Sequence, residues 1–511
     1  MKKIKEYVLE HKLFFIIIPL LLLITRFDFE GYATSVTPFG VPLDDAYIGF
    51  QFARNFAQGR VLEYNPGEHT TGASTLLWVL VMALVYNLTF YLFPNYLTAF
   101  LIISKVTATL FYFLALVGVY YLAEKYYFKS KWSSLVLCSF LSLEYHLIWG
   151  TLSGMEMSLF AALIVWMLIA HREKKPYAAA VLGGLIGLTR PEGLVVFPGT
   201  ILLLYLFKTI RTKKLGVKEG KRILVQLALF AAIITPWPIL NLLYSGKPLP
   251  ATFYMKGGET SLSNFFRGFP FVIQVLDLFG RHYYLPWLFI GGAVLYFALK
   301  KKVSPEALLA FIFMFVYGVA IPNLTGFGRY YMPVFPIITL VAFYLFRFVE
   351  SVTPSKSLKL SGVSFRLKKL APALVMIIPL VIILNQYPLW KMVYAHNVYS
   401  INEFEVAMAY WLINNTETWD IIGTTDIGAP AFIGNRYLVD TFGLINPEKR
   451  EFNGTHAEYL RYRNVTYFID YPDHVHHKVA DNCTIVYNTT YLPQVTITAG
   501  HQMAIYYCSW T

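Results

Sequence analysis

Charged side chains are scarce. Only 14% of the 511 residues are Asp, Glu, Lys or Arg, against about 25% in an ordinary soluble domain, which excludes a water-soluble globule of this length. Cysteine is scarcer still. Cys138, Cys483 and Cys508 cannot build a disulfide framework or a zinc site of the usual spacing. Low-complexity tracts are missing, and so is an internal repeat at any solenoid period. No GxxxxGK[ST], GxGxxG, HExxH or CxxC occurs in a setting that would give it meaning. These absences disfavour an ATP-driven pump, a Rossmann-type nucleotide-sugar enzyme and recognisable zinc or redox chemistry.

What is abundant is apolar surface: 56% of residues are hydrophobic and the mean hydropathy is +0.51. This composition belongs to polytopic membrane proteins. The net charge of +13 would suit nucleic acid only if the basic residues shared one solvated face. They lie instead in short clusters between apolar runs, the membrane pattern. Eleven spans are expected, at roughly 13–25, 98–122, 132–149, 155–171, 177–189, 193–207, 223–241, 284–299, 305–321, 333–348 and 370–388. The first follows Lys2, Lys3, Lys5 and Lys12, and no small-residue cleavage site comes after Arg26, so it reads as a retained anchor.

The apolar stretch 74–93 sets the topology. If it lies in the interface without spanning, every strongly basic loop (123–131, 172–175, 208–222, 300–302 and 347–369) falls on one side, as the positive-inside rule requires. The N-terminus is then cytoplasmic and residues 389–511 are outside. Five Asn-x-Thr sequons in that tail, beginning at Asn414, Asn453, Asn464, Asn482 and Asn488, agree with an extracytoplasmic surface and a glycoprotein. Cys483 and Cys508 lie there too, where a disulfide is permitted. The tail reads as a small α/β unit, with a helix over 402–415 and strands near 420–424, 436–440, 465–469, 483–487 and 503–508.

The first outer loop, 26–97, contains Asp44-Asp45-Ala46-Tyr47 followed by Ile48, Phe52 and Phe56 at helical spacing. A helix along the membrane thus begins at two adjacent carboxylates. One acid explains a cap and the helix dipole. The second must be desolvated or paired, and a general base between a lipid-borne substrate and an aqueous acceptor would be both. Arg54 follows on the same helix as a candidate substrate-binding residue. Glu144 and His146 end one expected span, Glu156 follows in SGMEMS, and Arg190 and Glu192 break an apolar run in LTRPEG. Irregular backbone at membrane depth is tolerated where it lines a cavity or is buried in protein; a purely structural Arg190–Glu192 or Arg190–Glu156 pair is the alternative. Lys256 and Arg329 are cations suited to a phosphate, or to interfacial snorkelling.

The pattern resembles a family. The segments DDAYIGFQFARNFAQGRVLEYNPGEHTTGASTLLW, SGMEMSLF, LTRPEGLV, GKPLPATFYMK, GRYYMPVFP and IGTTDIGAPAFIGNRYLVDTFGLINPE, in that order over nearly the whole chain, are similar to the GT-C superfamily of membrane glycosyltransferases, in its arabinofuranosyltransferase-like and mannosyltransferase-like branch. The resemblance implies an inverting transferase that takes a sugar from a polyprenyl-phosphate carrier, with Asp44 as catalytic carboxylate and Asp45 supporting the acceptor or the base geometry. Arg190, Lys256 and Arg329 would stabilise the leaving phosphate, with Glu192, Glu156, His146 and Arg54 around the substrate. Some relatives use a divalent metal at the acidic motif; one Asp pair with no ligand cluster nearby does not establish one here, so a divalent metal at Asp44 and Asp45 is the one cofactor left open. The WWD motif of the oligosaccharyltransferase branch is missing. Asp426 and Asp440 lie in the last matched segment, where tight turns and strand ends explain them equally well.

The expectation is therefore a mainly α, polytopic membrane protein of the plasma membrane, with a transmembrane GT-C catalytic module over 1–388 and an extracytoplasmic α/β domain over 389–511. Its partners would be a polyprenyl-phosphate sugar, a glycan, lipid or protein acceptor, and membrane lipids, with no nucleic acid. A transporter or flippase is the competing class, disfavoured by the missing repeat and by polar groups gathered at outer helix ends. A non-catalytic glycan-binding member of the fold stays open. No residue type here distinguishes one sugar or acceptor from another.

Overall fold

The computed structural model describes residues 2–213, 216–257, 285–320, 329–353, 357–360, 363–473 and 482–510. After a short α1 (Lys2–Glu10), α2 (Lys12–Thr34) carries the first apolar run. Its second half is polar and is held from inside: buried Arg26 donates to Thr151 Oγ1 at 3.1 Å and to the Ser142 carbonyl at 2.8 Å. The first outer loop supplies α3 (Asp45–Ala57) and α4 (Leu76–Leu92), and α5 (Tyr96–Leu122) returns along α2. A buried Lys105 on α5 fixes the start of that loop, since its Nζ reaches Glu30 Oε1 at 2.5 Å, the Gly40 carbonyl at 2.6 Å and Tyr394 Oη at 3.2 Å.

Among the described residues, three helical runs (Tyr96–Phe128, Gly193–Thr212 and Leu370–Asn415) are long and apolar enough to cross a membrane. The number is five if the bent pairs Lys131–Leu143 with Tyr145–Leu152 (58°) and Val217–Ile234 with Pro236–Ser245 (44°) each form one span. The expected count of eleven is thus not reached by length and composition. The reason is physical: Met157–Arg172, Pro176–Thr189, Leu285–Lys300 and Pro305–Ala320 have 14 to 16 residues, short of the about 20 that cross a bilayer unaided.

Two breaks come from polar residues. Glu144 is extended between its helices and caps the second by accepting the Leu147 N–H at 3.0 Å. Arg190, Pro191 and Glu192 separate Pro176–Thr189 from Gly193–Thr212. Gly193 permits this turn, because a Cβ there would stand 2.5 Å from the Ile186 carbonyl oxygen.

Toward the C-terminus, β1 (Ser357–Leu360) and β2 (Val363–Arg366) form an antiparallel hairpin. The helix Leu367–Ile401 then runs through a π-helical turn, Asn402–Val406, into Ala407–Asn415. A five-stranded sheet follows, built from β3 (Ile421–Thr424), β4 (Tyr437–Asp440), β5 (Tyr467–Asp470), β6 (Cys483–Asn488) and β7 (Ala504–Cys508) in the order β4-β3-β5-β7-β6. β3 is parallel to β4 and β5, while β7 is antiparallel to β5 and β6. Cys483 and Cys508 face each other in the last pair and form a disulfide. The parallel strands end in or just before Asp426, Asp440 and Asp470, so three carboxylates gather at their carboxyl ends, the usual ligand edge of such sheets.

Candidate active site

The site forms where α3 meets that sheet edge. Asp44 is 7% exposed and makes no side-chain cap on its own helix. Its Oδ2 accepts the Gly428 N–H at 2.8 Å and its Oδ1 the Ala429 N–H at 2.7 Å. Gly428 is required, since a Cβ there would lie 2.5 Å from both carboxylate oxygens. Burial, then the nearby Asp426 and Asp45 charges, push the Asp44 carboxyl up to about 8 against the pull of the two backbone bonds. Asp44 thus joins the first outer loop to the C-terminal sheet.

Asp45 faces the other way and forms an ion pair with Arg329. Arg329 also donates to Tyr330 Oη at 3.1 Å. The Tyr330 ring separates two guanidinium groups, with Arg190 at 5.2 Å and Arg329 at 5.0 Å from its centre. Arg190 is clamped by Glu156 Oε1 at 2.5 Å and by Glu192.

Two cavities meet at this point. One, of about 300 Å³, has apolar walls that include Phe52, Trp78, Val79 and Phe253, and polar groups Glu156, Arg190, Glu192 and Arg329. The other, of about 650 Å³, lies between α3 and the sheet and is lined by Asp44, Glu405, Asp426, His456, Asp470 and Tyr471. Asp45, Ile48 and Leu444 line both.

The structure therefore brings together Asp44, Asp45, Glu156, Arg190, Glu192 and Arg329. His146 is elsewhere: its Nδ1 lies 2.9 Å from Glu144 Oε1 in a buried pair beside the Tyr145–Trp390 stack, and it lines neither cavity. Arg54 also lines neither, because it donates to the Phe432 and Ala431 carbonyls and ties the far end of α3 to Gly428–Phe432. Lys256 lies in the short helix Ala251–Gly257, and its side chain falls outside the described residues.

The structure adds Glu405, Asp426, Asp470 and Tyr471. Tyr471 Oη donates to Asp426 Oδ2 at 2.9 Å, and burial, with the neighbouring acids, raises the Asp426 carboxyl to about 6. No local motif announces Glu405, which sits in an amphipathic helical stretch. Asp440 is different. It accepts backbone N–H groups of Phe442 and Ile445 at 2.8 and 2.9 Å, and of Leu444, so it organises a turn. Among the described residues no group of three or more His, Cys, Asp or Glu side chains is arranged to hold a metal ion.

Residues 394–506 match a family described as a domain of unknown function, DUF8728. No curated protein matches the chain in sequence. In three dimensions it is similar to ArnT from Cupriavidus metallidurans bound to undecaprenyl phosphate, at 13% identity and a TM-score of 0.56 over 96% of this chain and 97% of that one. The apo form of ArnT gives 13% identity, a TM-score of 0.57 and the same coverage. An oligosaccharyltransferase from Archaeoglobus fulgidus, in complex with zinc and sulfate, is 16% identical with a TM-score of 0.54 over 88% of this chain and 67% of that one. The chain shares the fold of these proteins, the GT-C fold, with a mostly helical body and a small C-terminal sheet.

Proposed function

Given the GT-C fold, we propose that the chain is an inverting glycosyltransferase that moves a sugar from a polyprenyl-phosphate carrier to an acceptor hydroxyl at the outer membrane face. The observation that carries this reading is Asp45, a carboxylate lining both an apolar, arginine-bearing cavity and an acidic one. The apolar cavity suits the prenyl chain and its phosphate, with Arg190 and Arg329 as the cations. The undecaprenyl phosphate bound to ArnT supports it. The acidic cavity then takes the acceptor.

In the reaction the acceptor oxygen bonds to the anomeric carbon while the bond from that carbon to the phosphate oxygen breaks. The electron pair leaves with the phosphate, whose charge the guanidinium groups stabilise, and the hydroxyl proton passes to a carboxylate. The family resemblance implies Asp44 as the base. Both its oxygens already accept backbone N–H groups and it borders only the acidic cavity. We therefore assign the base to Asp45 and the fixing of the α3 N-terminus to Asp44. The domain division at 388/389 and the cytoplasmic N-terminus are part of the same reading.

The test supplies membranes containing the protein with a panel of radiolabelled polyprenyl-phosphate sugars. Loss of a general base costs about 10²–10⁴ in rate, so Asp45→Asn should lose transfer on that scale while staying folded. Transfer that survives in folded Asp45→Asn and fails in Asp44→Asn returns the base to Asp44. No donor consumed with any acceptor sinks the transferase reading. For topology, a cysteine placed at 450 should react with an impermeant outside label and one at 210 should not.

A further inference from the structure

The two edges of the five-stranded sheet are protected differently. An open edge strand presents unpaired N–H and C=O groups that template pairing with another chain, so edges are blunted by charge, proline or a cover. β4 has a cover: Asn65, from the first outer loop, donates to the Leu438 carbonyl at 2.8 Å and accepts the Leu438 N–H at 3.0 Å. β6, at the other edge, has no such partner among the described residues. Its sequence, CTIVYN, holds no charge and no proline, and Ile485 and Val486 are 50% and 44% exposed. The register shift between Ile485 and Tyr487 disturbs the ladder without covering these side chains.

One of the five sequons sits on this strand. Asn488 is the last residue of β6, and Asn488 and Thr490 are both exposed. Neither side chain has a hydrogen-bond partner among the described residues. Between them Thr489 is anchored, because its Oγ1 accepts the Met503 N–H at 2.9 Å and donates to the Met503 carbonyl at 3.2 Å. The backbone is therefore held while the amide and the hydroxyl of the sequon stay open.

The fold engages the other four. Asn414 lies within Ala407–Asn415, and the Thr416 hydroxyl donates to the Leu412 carbonyl at 2.7 Å. The Thr455 hydroxyl, two residues after Asn453, belongs to a capping box with Glu458. Thr466, two residues after Asn464, is held in the sheet by the Ile421 carbonyl at 2.8 Å and the Cys508 N–H at 2.9 Å. Asn482 is half-buried and precedes the disulfide at Cys483.

We propose that Asn488 carries an N-linked glycan, which covers the β6 edge as Asn65 covers β4. Such a group is bulky and solubilising, and it stands at the end of the strand whose apolar side chains are exposed. A separate transferase joins Asn488 Nδ2 to the anomeric carbon of a sugar on a lipid-phosphate donor. The bond from that carbon to the phosphate oxygen breaks, the phosphate leaves with the electron pair, and one amide proton passes to a base of that transferase. The proposal rests on the outer placement of residues 389–511 in the reading above, but not on the activity of the chain.

The experiment purifies the full chain from its source cells and applies glycopeptide mass spectrometry and light scattering. Asn488 should be the most occupied of the five sequons. Asn488→Gln and Thr490→Ala should lose this glycopeptide, and Thr490→Ser should keep it. Both losses should raise self-association of the detergent-solubilised protein. Ile485→Lys, which places a charge on the open edge, should reverse that rise in the Asn488→Gln background. An unmodified Asn488, or higher occupancy at any of the other four, overturns the proposal. So does a modification that survives Thr490→Ala, glycan loss that leaves self-association unchanged, or association that Ile485→Lys does not reverse. Impermeant labelling of Arg450→Cys separates the two claims. A labelled cysteine with an unmodified Asn488 defeats this inference alone; an unlabelled cysteine with an unmodified Asn488 defeats the outer placement as well.

Discussion

Arg329 and Asp45 are ion-paired at the boundary of the two cavities, with Arg329 buried and the Asp45 side chain 28% exposed. The guanidinium suited to a phosphate and the carboxylate suited to an acceptor proton thus neutralise each other when neither substrate is bound. Arg190 is neutralised in the same way by Glu156 and Glu192. In the proposed reaction a donor phosphate would compete with these carboxylates, and taking Arg329 would free Asp45 to act as base.

Asp45→Asn should accordingly bind undecaprenyl phosphate more tightly than the wild type while losing transfer. Removal of the one charge competing for buried Arg329 is worth about 1–3 kcal/mol of hydrogen-bonded charge interaction, so a gain of roughly tenfold in lipid affinity is expected. Equilibrium binding to the protein in nanodiscs reads it. Unchanged or weaker lipid binding would falsify the exchange.

Gly428→Ala should unfold the junction between α3 and the sheet. The added methyl would stand 2.4 Å from the Asp44 carbonyl oxygen and 2.5 Å from both its carboxylate oxygens, so both hydrogen bonds must lengthen. Forced overpacking costs about 1–3 kcal/mol, and a buried acceptor left unsatisfied about 1–3 kcal/mol more. A fall in melting temperature, larger than for alanine at the open position Gly49, is the measurement. Equal losses at the two positions would contradict the contact.

Stability should decline as pH rises. The Asp44 carboxyl is raised to about 8 in the folded protein, above its ordinary value near 4. The native state therefore holds the proton more tightly than the unfolded chain, and stability is full below about pH 4 and is lost up to about pH 8. The groups facing Asp44 are Asp426, Asp45, Glu405 and the N–H groups of Gly428 and Ala429. Denaturant unfolding at pH 5 and pH 8 should show the decline, and Asp44→Asn should flatten it. A slope that stays the same in Asp44→Asn would place the titration elsewhere.

Cys508→Ser should destabilise the β6–β7 edge. The disulfide closes a loop with a sequence separation of 25, for which chain entropy gives about 3 kcal/mol. Proteolysis of the C-terminal region under reducing and non-reducing conditions checks this; equal cleavage of variant and wild type would contradict it.

Much of the secondary structure was legible in sequence because local chemistry dictates it. Apolar runs became helices, and β3 to β7 fall within a few residues of the expected strands, since short β-branched and aromatic runs between turn residues leave few alternatives. The break at Arg190-Pro191-Glu192 was equally plain. The span count was not, because helices of 14 to 16 residues carry no signal that separates a tilted or embedded span from a buried helix.

The sequence by itself determined the apolar helices, the small mixed domain and the adjacency of Asp44 and Asp45, because composition and periodicity act over neighbouring residues. Only the tertiary structure decided what each acid touches. Asp44 and Gly428 are 384 residues apart, and Tyr471 meets Asp426 across 45. Adjacent in the chain, Asp44 and Asp45 face a backbone cradle and an arginine. Burial and partner geometry, which no local pattern encodes, set the proton affinity of a carboxylate and so give the two acids different surroundings.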